Sequence, residues 1–290
     1  MSKIGMVILN YNDYETTSKY IDTIKNYKVL NQIIIVDNNS NDGSYEKLSK
    51  INNSKIDVIK TDKNRGYAYG NNYGINYLNE KYDVDYIIIS NPDILVEENV
   101  ITKLKKEMDQ NGDIAIISPV INQLDETIKG WRLPAIKDEI LMNINYIQRK
   151  VKKNLYYNEE KYKDRLTKVD VVSGCFFMIR KDVMSLIGNF DDSTFLYYEE
   201  NILAKKLMNI NKKTYIDNEV CVKHDLSISV DKSFDSIKKY KMLKQSQKYF
   251  VKNYLNANIF DMILLGLTYY ISLGVSYVIC FFKNIGRKKK

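Results

Sequence analysis

The chain has 290 residues, 44% of them hydrophobic and 28% charged, which excludes an intrinsically disordered protein and allows one or two folded domains. Its formal net charge of +8 at pH 7 predicts an anionic partner, such as a nucleotide, a nucleic acid or an acidic membrane surface. The three cysteines, Cys175, Cys221 and Cys280, are too far apart for a disulfide framework or a zinc site, so we expect a reducing compartment.

The first hundred residues alternate between apolar runs and helical patterns. Helices are predicted between the runs and after the third one, as far as Lys81. Strands that are apolar throughout and alternate with helices favour a mainly parallel sheet covered on both faces, which is an α/β fold. The apolar runs predicted as strands are residues 4–10, 32–40, 56–61 and 86–91.

Polar residues cluster where each of these predicted strands ends. The clusters are Asn10-Tyr11-Asn12, residues 37–40, residues 62–66 and Asn91-Pro92-Asp93. In open parallel sheets, ligands bind beyond the carboxyl ends of the strands, so these clusters are the first functional signal. No glycine-rich dinucleotide turn and no P-loop lysine motif follows any strand, which argues against a dinucleotide-binding enzyme or a P-loop enzyme.

The C-terminal part has a different character. A helical pattern after residue 230 places apolar residues on one face and Lys238, Lys241, Lys248 and Lys252 on another. Residues 262–282 carry no charge and would extend roughly 31 Å as a helix, about the thickness of a hydrocarbon core. A spanning helix, a re-entrant or interfacial segment and a buried core helix all remain open, and we favour membrane attachment. Because no signal peptide is apparent, we expect the rest of the chain to be cytoplasmic.

Taken together, seven stretches resemble the family 2 glycosyltransferases of the GT-A fold, in particular their bacterial rhamnosyltransferase-like branch. They lie in the family's order between residues 4 and 229. The stretches are "VILNYND", "IIIVDNNSNDGS", "NRGYAYGNNYGI", "IIISNPDILV", "SGCFFMIR", "GNFDDSTFLYYEEN" and "VKHDLSIS".

The resemblance implies a GT-A domain over residues 1–230. Its nucleotide-binding half would cover about 1–112 and its acceptor half about 113–230, and residues 231–290 would form the membrane-associated segment. The implied activity is transfer of a sugar from a nucleoside diphosphate donor with the help of Mn²⁺ or Mg²⁺.

The Asn-Pro-Asp sequence stands where the family has its metal-binding Asp-x-Asp motif. Asp93 is therefore the expected metal ligand, because Mg²⁺ and Mn²⁺ prefer carboxylate oxygen. Asn91 is a weaker donor-site candidate, since a neutral amide is a poorer ligand. The alternative is a simple turn, in which Asn, Pro and Asp are common for conformational reasons.

The other strand ends supply the expected donor site. The family counterpart of Asp37 hydrogen-bonds the nucleobase, and Asn10, Tyr11 and Asn12 would flank the base and ribose. Arg65 would pair with the diphosphate and Gly66 would allow close backbone approach. Asn39 also reads as part of a helix N-cap run. Asn64 completes this group, and Asn71 is expected to begin the next helix, whose N-terminus favours anions.

The base for an inverting transfer is expected in "FLYYEENIL". By position, Glu200 replaces the family's catalytic aspartate, and Glu199 would support or orient it. Ile202 replaces a second family aspartate, which puts the acceptor geometry in doubt. The alternative is that acids in a first helical turn only complement the helix dipole.

His224 is the only histidine and matches the family's His-x-x-Ser region, so it is a second candidate metal ligand; a structural histidine is the alternative. Trp131 and Arg132 would line a donor or acceptor sugar, although a core tryptophan fits equally well.

The predicted function is thus an inverting glycosyltransferase on the cytoplasmic face of the cell membrane. Rhamnose from dTDP-rhamnose is the first expectation for the donor, and a UDP-hexose the second. The expected acceptor is a polyprenyl-linked saccharide in surface polysaccharide synthesis, and a homo-oligomer is possible. The rival function is a catalytically inert nucleotide-binding partner that tethers another transferase. Nucleic-acid binding is not expected, because no recognised motif for it appears.

Overall fold

The computed structural model describes residues 1–124, 126–225 and 236–287. Its first half follows the predicted alternation closely, and the predicted strands end within three residues of the observed ones. In chain order the elements are β1 (Ile4–Asn10), α1 (Tyr14–Ile24), β2 (Gln32–Asp37), α2 (Ser44–Leu48), β3 (Ile56–Lys60), α3 (Tyr67–Lys81), β4 (Tyr86–Ser90), β5 (Ile94–Leu95) and α4 (Glu98–Gln110).

The second half adds strands and helices that the sequence pattern resolves less well. The run predicted as one strand-like block over residues 169–180 is two strands separated by a turn, because the Ser173-Gly174 pair interrupts the extended backbone. The elements are β6 (Ile114–Asn122), β7 (Thr127–Ile128), α5 (Ile136–Met142), α6 (Asn145–Leu155), β8 (Leu166–Val169), β9 (Phe176–Arg180), α7 (Lys181–Leu186), α8 (Glu199–Asn209), β10 (Lys213–His224), α9 (Ser236–Tyr254) and α10 (Ile259–Arg287).

The described strands join in one mixed sheet with the order β3-β2-β1-β4-β9-β6-β10-β5. Strands β1 to β4 pair in parallel, β9 lies antiparallel between β4 and β6, and β6 pairs in parallel with β10. The predicted α/β fold with helices on both faces is therefore confirmed, but the sheet is mixed, with four parallel and five antiparallel strand pairs. The polar ends of β1, β2 and β4 consequently meet at one edge.

The sheet is apolar throughout because helices cover both of its faces. Met6 and Ile8 of β1 belong to a core cluster with residues of α1 and α4, whereas Val7 packs on the opposite face with residues of α3. All three side chains are fully buried. An alternating pattern would have left one face polar, so the continuous runs reflect two cores.

The C-terminal helices pack against the second half of the sheet domain. Phe250 and Val251 of α9 and Leu265 of α10 are buried in a third cluster that also contains Ile202 of α8. Lys241, Lys248 and Lys252 lie on the exposed side of α9, as its pattern predicted. The C-terminal segment is thus tied by side-chain packing to the helix that carries Glu199 and Glu200.

Helix α10 also has an exposed apolar face, here called the apolar stripe. Its members recur at helical spacing and are about 41% to 75% exposed. Across the residues that the structure describes, no helix has the length and apolar character needed to cross a membrane. The apolar stripe consists of Ile259, Phe260, Ile263, Leu264, Leu267, Tyr270, Ile271 and Val275.

Candidate active site

Asp93 and His224 come together because β5 pairs with the end of β10. In this antiparallel register His224 lies opposite Ile94, and the backbone N–H of Asp225 donates to the Asp93 carbonyl at 3.0 Å. Asp93 Oδ1 is 3.2 Å from His224 Nε2, and both side chains are about nine-tenths buried. Asp93 lies between the core strand β4 and the short strand β5. The pairing of β5 with β10 is what brings Asp93 to His224. Residues 226–229 of the matching stretch lie outside the described residues.

The electrostatics of this pair keep His224 protonated when no cation is bound. Burial by itself would lower the pKa of His224, but its contacts with Asp93 and Cys175 outweigh burial and raise that pKa to about 10. Asp93 Oδ1 nevertheless has no hydrogen-bond partner, so the contact with His224 is a poorly directed ion pair. A divalent cation at this place would be held by the Asp93 carboxylate oxygen and by His224 Nε2, which must first release its proton.

The two side chains do not form a complete cage. Among the described residues, no group of three or more His, Cys, Asp or Glu side chains could hold a metal ion. Mn²⁺ or Mg²⁺ commonly takes only one or two protein carboxylates and completes its shell with phosphate and water. Asp93 and His224 therefore fit a cation shared with a diphosphate. Gln123 Nε2, at 3.1 Å from His224 Nδ1, orients the ring from the other side.

The ends of β1 and β2 form a buried hydrogen-bond network. Asn10 Nδ2 donates to Asp37 Oδ2 at 2.9 Å, and the backbone N–H of Ser40 donates to Asp37 Oδ1 at 2.8 Å. Asn10 and Asp37 are fully buried, so their side chains hold the ends of β1 and β2 together. The predicted nucleobase contact of Asp37 remains a prediction. Asn12, whose backbone N–H donates to Ser40 Oγ at 2.9 Å, joins the same network.

The more exposed members of this edge lie on its rim. Asn12 and Asn39 have φ values of 52° and 58°, in the left-handed region that asparagine tolerates. Tyr11 is partly exposed and Asn39 is exposed, so both are open to a ligand. The predicted base and ribose contacts of Tyr11 and Asn12 therefore have space at this rim.

A residue that was not singled out from the sequence connects the second and third strand ends. Asn38 Nδ2 donates to Asn64 Oδ1 at 3.0 Å and to the Gly66 carbonyl at 3.1 Å. Thr61 Oγ1 donates to Asn38 Oδ1 at 3.2 Å. Asn38 is buried, and its place in the polar cluster after β2 was the available signal. We call Asn10, Asn12, residues 37–40 and Asn64 the nucleotide edge.

Gly66 allows a close approach, but the approaching group is protein backbone. Its φ is +107°, and a Cβ at this position would lie 2.0 Å from the Phe195 carbonyl oxygen. The backbone N–H of Tyr67 donates to that same oxygen at 3.0 Å. Gly66 thus joins the nucleotide edge to residues 195–200, which we call the acidic loop.

Asn71 and Arg65, both predicted to belong to the donor site, have surroundings that differ from those expected. The prediction that Asn71 begins the helix is wrong: α3 begins at Tyr67, and Asn71 is fully buried one turn inside it, where Nδ2 donates to the Tyr67 carbonyl at 3.0 Å. The boundary moves because Gly66 provides the N-cap position. Arg65 is half exposed, 3.3 Å from Asp62 and over the Tyr69 ring, so it would have to release Asp62 to pair with a diphosphate.

Tyr67 contacts the segment that carries Asp93 and also lies near Glu199 and Glu200. Its hydroxyl is within hydrogen-bond distance of the Gly174 carbonyl at 2.8 Å and of Asn91 Oδ1 at 3.2 Å. Burial, together with the nearby Cys175, Glu199 and Glu200, raises the pKa of Tyr67. The hydroxyl therefore stays protonated and donates. The sequence analysis did not identify Tyr67, whose only signal was its position after Gly66.

Glu199 and Glu200 begin α8 as an adjacent acidic pair. Burial is the main cause that raises the pKa of each above the usual glutamate range, and the charge of Glu200 adds to it for Glu199. Glu199 Oε1 is buried without a hydrogen-bond partner. Glu200 faces the turn at Gly174, where an added Cβ would lie 4.0 Å from Glu200 Oε2. A carboxylate whose pKa lies closer to neutrality is a better general base than an ordinary one.

The acidic loop has an unusual backbone. Tyr197 and Tyr198 have φ values of 76° and 73°, a left-handed conformation that costs bulky residues roughly 1–3 kcal/mol each. The Tyr198 hydroxyl donates to Glu139 Oε2 at 2.6 Å, and Gln247 Nε2 donates to the same oxygen at 2.8 Å. Ser246 Oγ donates to the Leu196 carbonyl at 2.7 Å. Residues of α5 and α9 thus stabilise the strained loop.

Ile202 has a packing role in place of the family's second acid. It is 1% exposed and lies with Phe250, Val251 and Leu265 in the cluster that joins α8 to the C-terminal helices. An aspartate there would face apolar side chains. The departure from the family pattern therefore accompanies the docking of α9 and α10.

Trp131 and Arg132 have different surroundings although they are adjacent. Trp131 Nε1 donates to Asn201 Oδ1 at 3.3 Å, next to Glu200 in the chain. Arg132 makes a bidentate ion pair with Asp138 at 2.8 and 3.0 Å, so two of its donors are already used. Trp131 is thus well placed for an acceptor sugar, whereas Arg132 holds the start of α5.

The comparisons with known proteins agree with this geometry. The profile of glycosyl transferase family 2 matches residues 6–188. A hexosyltransferase of low-salt glycan biosynthesis, Agl10 of Haloferax volcanii, is 26% identical over 69% of this chain. The dTDP-rhamnosyl transferase RfbF of Shigella flexneri is 26% identical over 77% of this chain. The matched part spans 60% of the Haloferax protein and 69% of the Shigella protein.

Solved structures show the same fold at low sequence identity. GalNAc-T7 with UDP, GalNAc and Mn²⁺ has a TM-score of 0.62 at 14% identity, covering 86% of this chain and 48% of that one. The Pyrobaculum calidifontis mannosyltransferase PcManGT with GDP-Man and Mn²⁺ has a TM-score of 0.61 at 12% identity, covering 96% and 73%. Together with the match over residues 6–188, these findings confirm the resemblance: the chain belongs to glycosyl transferase family 2.

Proposed function

We propose that this chain is an inverting glycosyltransferase that moves a sugar from a nucleoside diphosphate onto a lipid-linked saccharide of a bacterial surface polysaccharide. The observation that carries the proposal is that Tyr67 hydrogen-bonds Asn91, two residues before the Asp93 that pairs with His224, and also lies near Glu199 and Glu200. This arrangement supplies a cation site for a departing diphosphate and a carboxylate for an attacking hydroxyl.

The proposed reaction needs one proton transfer and one displacement. The Glu200 carboxylate accepts the proton of the acceptor hydroxyl as that oxygen bonds to the anomeric carbon. The bond from that carbon to the diphosphate oxygen breaks, and the nucleoside diphosphate leaves with the electron pair. Asp93 and His224 would hold a Mn²⁺ or Mg²⁺ ion, which supplies charge neutralisation for the leaving diphosphate when bound. Burial raises the pKa of Glu200, and burial together with the charge of Glu200 raises the pKa of Glu199.

For the donor we propose dTDP-rhamnose first and a UDP-hexose second. Support for rhamnose comes from the similarity to a dTDP-rhamnosyl transferase over 77% of this chain, and from its Asn-Pro-Asp sequence. Support for a cation comes from the fold neighbours, two of which were solved with a nucleotide or nucleotide sugar and Mn²⁺. The rival of an inert tethering partner rests on Ile202, which packs against the C-terminal helices, whereas the retained Asp93 and Glu200 support an active transferase.

We further propose that the chain works at the cytoplasmic face of the membrane and attaches through its C-terminal segment. The apolar stripe of α10 supports this, because a contiguous exposed apolar face favours an interface with lipid. Deleting residues 257–290 should release the protein from membranes. Unchanged sedimentation with membranes would contradict this part of the proposal.

The test is donor hydrolysis and thermal stabilisation with a panel of dTDP- and UDP-sugars, with Mn²⁺ present or chelated. We expect stabilisation by one donor only in the presence of the cation, and its loss in Asp93→Ala. Glu200→Gln should retain the donor-dependent stabilisation but lower the transfer rate about 100-fold or more. The exposed Glu80→Gln change on α3 is the matched control. Donor binding by neither the wild-type protein nor the control would overturn the proposal.

A further inference from the structure

A cavity outside the site described so far lies against one face of α6. It has a volume of about 480 Å³ and is lined by Gln148, Arg149, Lys152, Lys153 and Tyr156, with Asn145 and Glu126 at its edge. These α6 residues recur three or four positions apart, so one helix face presents three cations to the cavity. We call this cavity the basic pocket.

The cations of the basic pocket are not neutralised by the protein. Among the described residues, no ion pair joins Arg149, Lys152 or Lys153 to a carboxylate, although Lys129 pairs with Glu159 close by. Glu126 is the acid at the pocket, and its carboxylate accepts a hydrogen bond from the Tyr156 hydroxyl at 3.3 Å. The lining therefore keeps a surplus of positive charge. A concave site with such a surplus and with amide and phenol groups suits a phosphate group.

The basic pocket adjoins the apolar stripe. Ser272 Oγ of α10 donates to Asn145 Oδ1 at 3.0 Å, and Asn145 lines the pocket. Ile271, the residue before Ser272, is 69% exposed and belongs to the stripe. An anionic group in the pocket would thus have an exposed apolar surface beside it.

The basic pocket also connects to the acidic pair. Tyr156 of the pocket makes an edge-on ring contact with Trp131, with 6.4 Å between the ring centroids. Trp131 Nε1 donates to Asn201, the residue after Glu200. An aromatic pair therefore leads from the pocket to the first turn of α8, which carries the proposed base, and such surfaces pack well against sugar rings.

We propose that the basic pocket binds the phosphate or diphosphate group that joins the acceptor saccharide to its lipid. The lipid chain then lies along the apolar stripe, and the saccharide lies over Trp131 with its reactive hydroxyl towards Glu200. This inference rests on the proposed function, since it assigns the acceptor end of the same reaction. The concave shape and the three cations on one helix face favour a discrete phosphate group over the surface charge of a bilayer.

The test uses the full-length protein and phosphatidylcholine vesicles that contain polyprenyl diphosphate. The triple change Arg149→Gln, Lys152→Gln and Lys153→Gln alters exposed side chains, so it should fold normally. We expect it to bind these vesicles at least about tenfold more weakly than wild type, because three charged contacts to phosphate are lost. Lys19→Gln, Lys103→Gln and Lys106→Gln, also exposed, form the charge-matched control and should bind like wild type.

Two further measurements separate a phosphate site from bilayer charge. Inorganic diphosphate, with the cation chelated, should displace wild-type protein from the polyprenyl diphosphate vesicles. Vesicles that carry the same charge as phosphatidylglycerol should bind wild type and the triple variant more equally. Equal tight binding of wild type to both vesicles, with no displacement by diphosphate, would overturn the inference in favour of a general anionic membrane surface.

Failure of this inference is distinguishable from failure of the proposed function. Cation-dependent donor hydrolysis should be the same in wild type and the triple variant, because the donor site lies at other residues. If donor hydrolysis occurs but the triple variant uses a lipid-linked acceptor as well as wild type does, the pocket assignment is wrong and the transferase proposal stands. If no donor is hydrolysed, the proposed function fails, and vesicle binding alone decides whether the pocket recognises lipid diphosphate.

Discussion

The nucleotide edge is held together by loops that follow neighbouring strands, whereas the acidic loop is held by helices far along the chain. Asn10 reaches Asp37, and Asn38 reaches Asn64, across adjacent parallel strands of one sheet. Tyr198 instead donates to Glu139, which lies 59 residues before it in the chain. Gln247 of the C-terminal helix α9 donates to the same carboxyl group. The first region is therefore specified by local strand order, and the second by the docking of distant helices.

This difference predicts separate consequences for mutations. Changes at the nucleotide edge should weaken donor binding while the chemical step stays nearly intact. Changes beneath the acidic loop should slow the chemical step or unfold the C-terminal packing while donor binding stays nearly intact. The following four variants test this division.

The largest effect is expected from restoring the family's acid in Ile202→Asp. A carboxylate would be buried against Phe250, Val251 and Leu265 without a partner, so the free energy of unfolding should fall by roughly 3 kcal/mol or more. Ile202→Val, which keeps the site apolar, should cost only about 1 kcal/mol. Denaturant unfolding measures both. If the aspartate variant were as stable as the valine variant, Ile202 would not be packed in an apolar contact with the C-terminal helices.

At the nucleotide edge, Asn38→Ala should raise the Kd for the donor about tenfold and leave kcat within a few-fold. The change removes the bonds that Asn38 makes with Asn64, Gly66 and Thr61, and it should cost about 2 kcal/mol of stability. Donor titration and steady-state transfer assays check both values. Asn41→Ala, on the exposed side of the same loop, is the control. If kcat falls more than donor affinity, the division between the two regions does not hold.

The converse result is expected for Tyr198→Phe. The variant loses the bond to Glu139 that stabilises the left-handed backbone of the acidic loop, so kcat should fall about tenfold while the donor Kd stays unchanged. Stability should fall by about 1 kcal/mol. The fully exposed Tyr146→Phe serves as the control. Loss of donor affinity with unchanged kcat would show that Tyr198 belongs functionally to the nucleotide edge.

The smallest effect concerns pH. Burial raises the pKa of Glu139 from 4.5 to about 7, so between these values the folded protein holds a proton that the unfolded chain has released. Stability from this group is therefore present below pH 4.5 and is lost as pH rises towards 7. In Glu139→Gln the fall in Tm over this range should be shallower, whereas Glu80→Gln should follow wild type. Identical slopes in all three proteins would show that Glu139 does not titrate as its burial implies.

The sequence predicted the nucleotide side of the molecule well. Strand β1 begins and ends as expected, and the polar clusters after β1, β2 and β4 do meet at one edge. The sequence could do this because continuous apolar strands that alternate with helices have few parallel arrangements. It failed at residue level for Asn71, where one glycine moved the helix start, and for Asn38, whose role depends on contacts across two strands.

The sequence by itself therefore determined the α/β class and the family, because these follow from periodicity and from motif residues, and it proposed the acids and the histidine of the site. Only the tertiary structure decided which groups support them. Glu139 lies in a stretch without any motif, and its contact with Tyr198 exists because α5, α8 and α9 pack together. Likewise, the lysines of α6 become a pocket only when the chain folds beside α10. The local sequence pattern indicates which residues are buried and where turns occur. Contacts between distant elements depend instead on how the helices and strands pack.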